Sequence, residues 1–338
     1  MLQTRPRKLA SKEEMRVCAR YENGTPVRVL AEEAGMTNMG IYKLLKRNRV
    51  RTARPKNIPR RLGLTKTPRD IPLPYMPEVL GVKDRLVVIA VDPEKWHVEA
   101  IMSRYNQSHA QAVNWLVQFR RHINLLGYDH LLLWKDELDS PALKNMVDHR
   151  ISAREDKIHA RKCSIEVIDR EQANDFYKRY HLQGTCTGTD HLALVYEREL
   201  VACMSFNKGS ACRGDSGDRL LQRYATKYVI PGGASKLLAA FRSVNPGPVV
   251  SYSDERYAPS GNLYEILGFT QQGLNRPDYR YWRDGRWYAK NSKQKKYLHR
   301  EAEEAGIAFN DEHTEFELAR ILGYKRCYDL GKITWLLT

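Results

Sequence analysis

No stretch of about 18 apolar residues occurs in the 338-residue chain, so no membrane-spanning helix is expected. The opening residues, MLQTRPRKLAS, lack the apolar core of a secretory signal, which predicts a protein that stays in the cytoplasm. Six cysteines (Cys18, Cys163, Cys186, Cys203, Cys212 and Cys327) are scattered without a C-x-x-C pair. Neither a disulfide framework nor a zinc knuckle is indicated, and they read as reduced, mostly buried thiols. Acidic residues are scarce at one end: up to Asp70 there are 6 Asp and Glu against 18 Lys and Arg, which places +12 of the net +16 in the first fifth of the chain. Such a local basic excess is what neutralisation of nucleic-acid phosphates requires.

The basic segment carries apolar periodicity, so it is more than a solvated tail. Ser11 with Glu13 and Glu14 opens a first helix with inward Met15, Val17, Cys18 and Tyr21, ended by Gly24. Thr25-Pro26 starts a second, which runs to Gly35, and Thr37 or Asn38 caps a third with Ile41, Leu44 and Leu45 inside. Three short helices with a glycine-containing turn before the last form the helix-turn-helix plan, whose final helix enters the major groove of duplex DNA. The string from Pro26 to Arg54 resembles the helix-turn-helix of resolvases and transposases. On this reading Asn38, Tyr42, Lys43, Lys46, Arg47, Arg49, Arg51 and Arg54 form the DNA face of a module over residues 1–54. Residues 55–77, rich in proline and basic side chains, read as an extended linker.

Further along, the apolar run LVVIAVD (residues 86–92) is followed by Trp96-His97-Val98-Glu99, a helical stretch from His109 to Leu126, and a second buried strand from His130 to Trp134 leading into Asp136-Glu137. Strand, helix, strand with carboxylates at the strand ends is an α/β layout able to hold Mg²⁺ and activate water. The segments IAVDPEKWHVE, GYDHLLLWKDEL and IHARKCSIEVI resemble phage homing endonucleases with a Vsr-like (EDxHD, PD-(D/E)XK-type) nuclease domain. That resemblance assigns residues 78–157 to such a domain, with Asp92, His97, Glu99, Asp136 and Glu137 as catalytic candidates and Asp92 and Asp136 as metal ligands. It also implies an origin in a phage or mobile element, acting in the host cytoplasm. The chain departs from the pattern where Ala90 replaces a strand acid and Lys135 precedes Asp136.

Residues 192–206 read as two strands joined at Glu197-Arg198, and a strand from Leu220 to Val229 leads through Pro231-Gly232-Gly233 into a helix. Glycines between a strand and a helix can present backbone N–H groups to an anion. The run SYSDERYAPSGNLYEILGF (251–269) resembles the phage DNA-modification protein Mom, and residues 158–338 resemble the acetyltransferase (GNAT-like) α+β fold, including YHLQG at Tyr180–Gly184. For a transferase the resemblance implies an acyl-CoA-type donor, with its phosphates at Gly232, Gly233 and Ala234 and the chemistry near Ser251, Asp254 and Tyr264. The aromatic and basic run from Tyr279 to Tyr288 is either a nucleic-acid grip or a hairpin turning at Asp284-Gly285 with its aromatics in the core.

The fold class expected is therefore multidomain α/β, with double-stranded DNA as partner. Three functions follow. The leading one is a Mg²⁺-dependent homing-endonuclease-like enzyme, to which Ala90 and Lys135 are adverse. The others are a Mom-like acyltransferase acting on DNA bases beside a degenerate nuclease domain, and a DNA-binding regulator without catalysis.

Overall fold

The computed structural model describes residues 11–22, 27–48, 50, 62, 64–65, 78–83, 85–150, 156–208, 218–257 and 262–338. Arg49, Arg51, Arg54 and Cys212 lie outside the described residues, as does most of the expected linker. Of its described residues, Leu62 is buried in a core with Leu86, Val88 and Leu133, and Thr65 exchanges backbone hydrogen bonds with Val82, so this part is packed against the sheet instead of extended. Helices α1 (Ser11–Glu22), α2 (Val27–Ala34) and α3 (Asn38–Arg47) enclose a small core of Cys18, Tyr21, Val27, Leu30, Ile41, Leu44 and Leu45. Thr37 caps α3, its hydroxyl accepting the Gly40 N–H at 3.1 Å.

A three-stranded sheet follows, β1 (Glu78–Lys83), β2 (Leu86–Val91) and β3 (Asp129–Trp134), in which β2 and β3 run parallel. β2 (LVVIAV) is buried along its whole length and β3 from His130 to Trp134, because both faces are covered. Between them lie α4 (Val98–Tyr105), α5 (His109–Val113) and α6 (Trp115–Leu125). The sequence suggests one helix from His109 to Leu126; the structure interrupts it at Asn114, whose side chain donates to the Ala110 carbonyl at 2.9 Å while its own N–H turns to Gln111. An asparagine offering the backbone a local alternative is what breaks the helix. A 3₁₀ turn at Lys135–Asp139 and α7 (Ala142–Arg150) complete this unit.

The second sheet contains β4 (Ser164–Val167), β5 (Asp190–Tyr196), β6 (Glu199–Lys208), β7 (Arg219–Thr226), β8 (Val249–Asp254), β9 (Thr270–Leu274) and β13 (Lys332–Leu337), in the order β4-β5-β6-β7-β8-β13-β9. Helix α8 (Arg170–Tyr180) joins β4 to β5, α9 (Gly233–Val244) crosses from β7 to β8, and α10 (Asn262–Ile266) precedes β9. The hairpin between β5 and β6 turns at Glu197 and Arg198, both at positive φ, as the sequence reading places it. Leu194, Val201, Met204, Phe206, Leu237, Phe241 and Trp335 fill the core beneath α9.

Between β9 and β13 the chain leaves this sheet for a small one, β10 (Tyr279–Arg283), β11 (Arg286–Tyr288) and β12 (Lys325–Tyr328), with α11 (Lys295–Glu304) and α12 (Glu315–Ile321). Asp284 and Gly285, both at positive φ, make its hairpin turn. Tyr281 and Trp282 are buried, so at these two positions the aromatics are core rather than base-stacking surface. Trp282, Cys327 and Leu330 join the core of the three-stranded unit beside Val87, Ile89 and Trp134. The two sheets are thereby tied together through an excursion of the second chain segment onto the first.

His130 seals the same junction. It is fully buried on β3, its Nε2–H donating to the Glu255 carbonyl at 2.8 Å while Nδ1 faces the Asn124 amide at 3.3 Å. Burial pushes its pKa down to about 4, so the folded chain holds the ring neutral. The unfolded chain takes up this proton first, as pH falls below about 6.5. Stability from this group is thus present above pH 6.5 and is lost as pH falls towards 4, by about 3 kcal/mol. Urea unfolding at pH 7 and pH 4.5 checks this: His130→Asn should flatten the pH dependence relative to the parent, and an unaltered dependence would contradict it.

Candidate active site

Strands β7 and β8 are parallel neighbours, but only Arg219–Leu221 pair with Val249–Ser251. Beyond Leu221 and Ser251 they part. The facing edges at Gln222–Thr226 and Tyr252–Asp254 keep their other partners, β6 and β13, yet find no strand between them. Side chains take some of the carbonyls along these edges, Arg223 that of Gln222, Asn145 that of Thr226 and Tyr264 that of Tyr252, and a backbone group not so engaged is left to water or a ligand. Here the gap opens into a cavity of about 330 Å³ lined by Tyr224, Ser251, Asp254, Tyr257 and Tyr264 among others.

Ser251 spans the apex of the split: its hydroxyl donates to the Leu221 carbonyl at 2.9 Å and lies 3.2 Å from the Tyr264 hydroxyl. Tyr264 stacks on Trp335, ring centroids 5.3 Å apart, and its O–H reaches the Tyr252 carbonyl at 3.4 Å. Burial raises its pKa, against the smaller opposing effects of Ser251 and the nearby Arg223 cation. The phenol therefore stays protonated in neutral solution.

Asp254 ends β8 where three cavities meet. Gln183, Arg223 and Asp254 line all of them: the cleft just described, a polar cavity of about 600 Å³ reaching Asp136 and Glu137, and a third of about 290 Å³ beside Thr185 and Thr187. Gln183 Nε2 donates to Asp254 Oδ2 at 3.0 Å. Arg256, 4% exposed, links Asp254 (3.3 Å) to both oxygens of Glu137 (3.1 and 3.2 Å) and lies over the Tyr257 ring, 4.3 Å from its centroid. Glu137 also accepts from the Tyr257 hydroxyl at 2.5 Å and from the Trp134 N–H at 2.8 Å. Burial alone would lower the Arg256 pKa, but Asp254 and Glu137 more than offset it and hold the guanidinium firmly charged. Candidates expected in two separate sites thus sit on one arginine.

The proposed nuclease residues are arranged differently from the expectation of a shared cation. Asp92 accepts from Lys135 Nζ at 2.9 Å and from the Glu94 N–H at 3.1 Å. Asp136 Oδ2 accepts from the Trp287 indole at 3.0 Å, its other oxygen is buried with no partner among the described residues, and burial, then Glu137, raises its pKa. His97 Nδ1 lies 2.7 Å from Glu99. Ala90 is buried opposite exposed Glu78. Among the described residues no group of three or more His, Cys, Asp or Glu is placed to hold a metal ion. The physical reason is that Lys135 and Arg256 stand at the carboxylates where a cation was expected.

Gly232, at φ +76°, turns the chain into α9. The Gly233 N–H donates to the Ile230 carbonyl at 2.9 Å, and the Ala234 backbone hydrogen-bonds the Tyr224 hydroxyl. Residues 156–163 cover this turn, with Ala160 N–H on the Pro231 carbonyl and Lys236 Nζ on the carbonyls of Ala160 and Cys163. The N–H groups of Gly233 and Ala234, expected to hold phosphates, already have partners.

Of the expected DNA-facing residues, Asn38, Lys43 and Lys46 are exposed on α3. Arg47 pairs with Glu14, and the Tyr42 hydroxyl turns inward to Asp139 of the 3₁₀ turn at 3.4 Å. Arg256, Tyr257, Arg223 and Gln183 were absent from the sequence candidates, although Gln183 lies in YHLQG and Arg256-Tyr257 directly follow Asp254 in SYSDERY.

No protein-family model matches the chain, and no curated protein matches it. Among solved structures it is similar to a Bacillus subtilis acetyltransferase in complex with CoA (TM-score 0.28, 11% identity, 52% of this chain and 98% of that one). It is also similar to a GNAT-family acetyltransferase from Bacillus cereus (TM-score 0.27, 11% identity, 52% and 96%). Among the described residues no helix is long and apolar enough to cross a membrane.

Proposed function

We propose that this chain is an acyltransferase acting on double-stranded DNA, with the cleft between β7 and β8 as its active site. The observation that carries the reading is the parting of two parallel strands directly over the hydroxyl of a partly buried tyrosine, Tyr264. The open edges at Gln222–Thr226 and Tyr252–Asp254 suit an extended, amide-bearing donor such as acyl-CoA, since its amides can complete the two interrupted ladders. A thioester donor supplies an activated acyl group when bound. Attack by a base nitrogen forms the new C–N bond and breaks C–S. Tyr264 gives its proton to the departing sulfur, and Asp254, steadied by Gln183 and Arg256, receives the proton from the attacking nitrogen.

The test mixes the protein with acetyl-CoA and DNA, with and without Mg²⁺, and follows released thiol, mass-shifted nucleosides and strand breaks. DNA-dependent thiol release with a modified nucleoside is expected; strand cleavage without either would return the nuclease reading to first place. DNA recognition by the N-terminal helices has its own check. Lys43→Ala with Lys46→Ala removes two exposed cations, so the slope of log affinity against log salt should flatten by about 2. An unchanged slope would place the DNA elsewhere on the molecule.

A further inference from the structure

We propose that the third cavity, beside the transfer cleft, is a phosphate-binding subsite built on Arg223 and Lys332. Arg223 is partly buried on β7, yet among the described residues its guanidinium hydrogen-bonds only main-chain oxygens, Gln222 at 2.8 Å and Gly184 at 3.5 Å. Lys332, opposite Asp254 across β8 and β13, is exposed. Among the described residues no carboxylate lies within ion-pair distance of either cation. Buried charges are ordinarily paired, so a half-buried arginine beside a second free cation asks for a counter-anion.

The cavity, about 290 Å³, also brings Thr185 and Thr187 to the same space. Gln222 Nε2 already donates to the Thr187 oxygen at 3.3 Å, which leaves the Thr187 O–H to donate elsewhere. Among the described residues lining it the one acid, Asp254, is engaged by Gln183 and Arg256. Two cations and two hydroxyls around one small space form a donor set for a tetrahedral oxyanion, with the fork of Arg223 able to take two of its oxygens. The engaged N–H groups at Gly233 and Ala234 add weight, because a phosphate held by this molecule needs donors from another place. The loop containing YHLQG, which the transfer chemistry uses only through Gln183, thereby acquires a role.

The phosphate has two possible sources, the donor's or the DNA backbone's, and only that assignment rests on the acyl-transfer reading. Binding of inorganic phosphate to the full-length protein is measured by calorimetry at low ionic strength, with chloride as control. Saturable binding is expected, at least tenfold weaker in Arg223→Gln, a few-fold weaker in Lys332→Ala, and intermediate in Arg223→Lys, which keeps the charge. Should Arg223→Gln fail to fold, Arg223→Lys and the exposed Lys332→Ala still decide the matter. No phosphate binding by the parent, or equal affinity in all variants, overturns the subsite.

The source is then read by comparing CoA with its phosphate-free pantetheine portion, and a duplex oligonucleotide with one bearing a single methylphosphonate. A variant defect confined to CoA marks a donor phosphate; one confined to the oligonucleotide marks an acceptor phosphate. If phosphate binding is lost in the variants while both ligands bind as before, the site takes an adventitious ion only and the proposal fails. Failure of acyl transfer itself shows differently, as absent thiol release with phosphate binding intact.

Discussion

Replacing Arg256 with Met should lower the unfolding free energy by about 3–5 kcal/mol, the cost of removing one partner from a buried charge cluster. Methionine fills much of the arginine's volume, so the loss comes chiefly from Glu137 and Asp254, left as buried carboxylates without their cation. The sign of a second change follows from the same physics. Glu137→Gln in the parent deprives Arg256 of a counter-charge and destabilises. In the Arg256→Met background it removes an orphaned charge, so it should be nearly neutral or stabilising. Urea unfolding of the four proteins reads this cycle, and additive effects of the two substitutions would show that the cluster is not coupled. The cluster joins the three-stranded unit to the seven-stranded sheet, so the parent is expected to unfold with one transition through this junction. Two well-separated transitions in Arg256→Met would show what the arginine holds together.

How much of this was legible beforehand depends on the distance over which each feature is encoded. The β5–β6 hairpin was readable because apolar alternation on either side of Glu197-Arg198 leaves those two residues as the only turn. The Asp284-Gly285 turn was readable for the same local reason. The break at Asn114 was not: the apolar positions of α5 and α6 keep helical spacing across it, and the disruption comes from a polar side chain that periodicity does not weigh. The site was half legible. Ser251, Asp254 and Tyr264 were singled out together and share one cavity. Asp136 and Glu137 were also singled out, but for metal binding. Their partners, Trp287 and Arg256, lie more than a hundred residues away in the chain, and a contact of that span leaves no periodic trace. Arg223 gave no signal at all, since an arginine in a strand becomes informative only when no described carboxylate is seen within ion-pair distance of it.

The second large effect concerns the chemistry, and it isolates a single proton. Tyr264→Phe keeps the ring stacked on Trp335 and removes only the hydroxyl that faces Ser251 and the Tyr252 carbonyl. If that hydroxyl protonates the departing sulfur, kcat for acyl transfer from acetyl-CoA should fall by about a hundredfold or more, while KM for the donor changes little. Burial holds the Tyr264 pKa above its ordinary value of 10. The midpoint of any alkaline loss of rate in the parent should therefore lie above pH 10. Leaving-group chemistry then separates a proton donor from a residue that merely shapes the cleft. A thioester of an acidic aromatic thiol departs as a stable thiolate and needs no proton, so Tyr264→Phe should use it almost as well as the parent does. A loss of equal size with both donors would mean that Tyr264 positions the acyl group, and that the proton reaches the sulfur by another route.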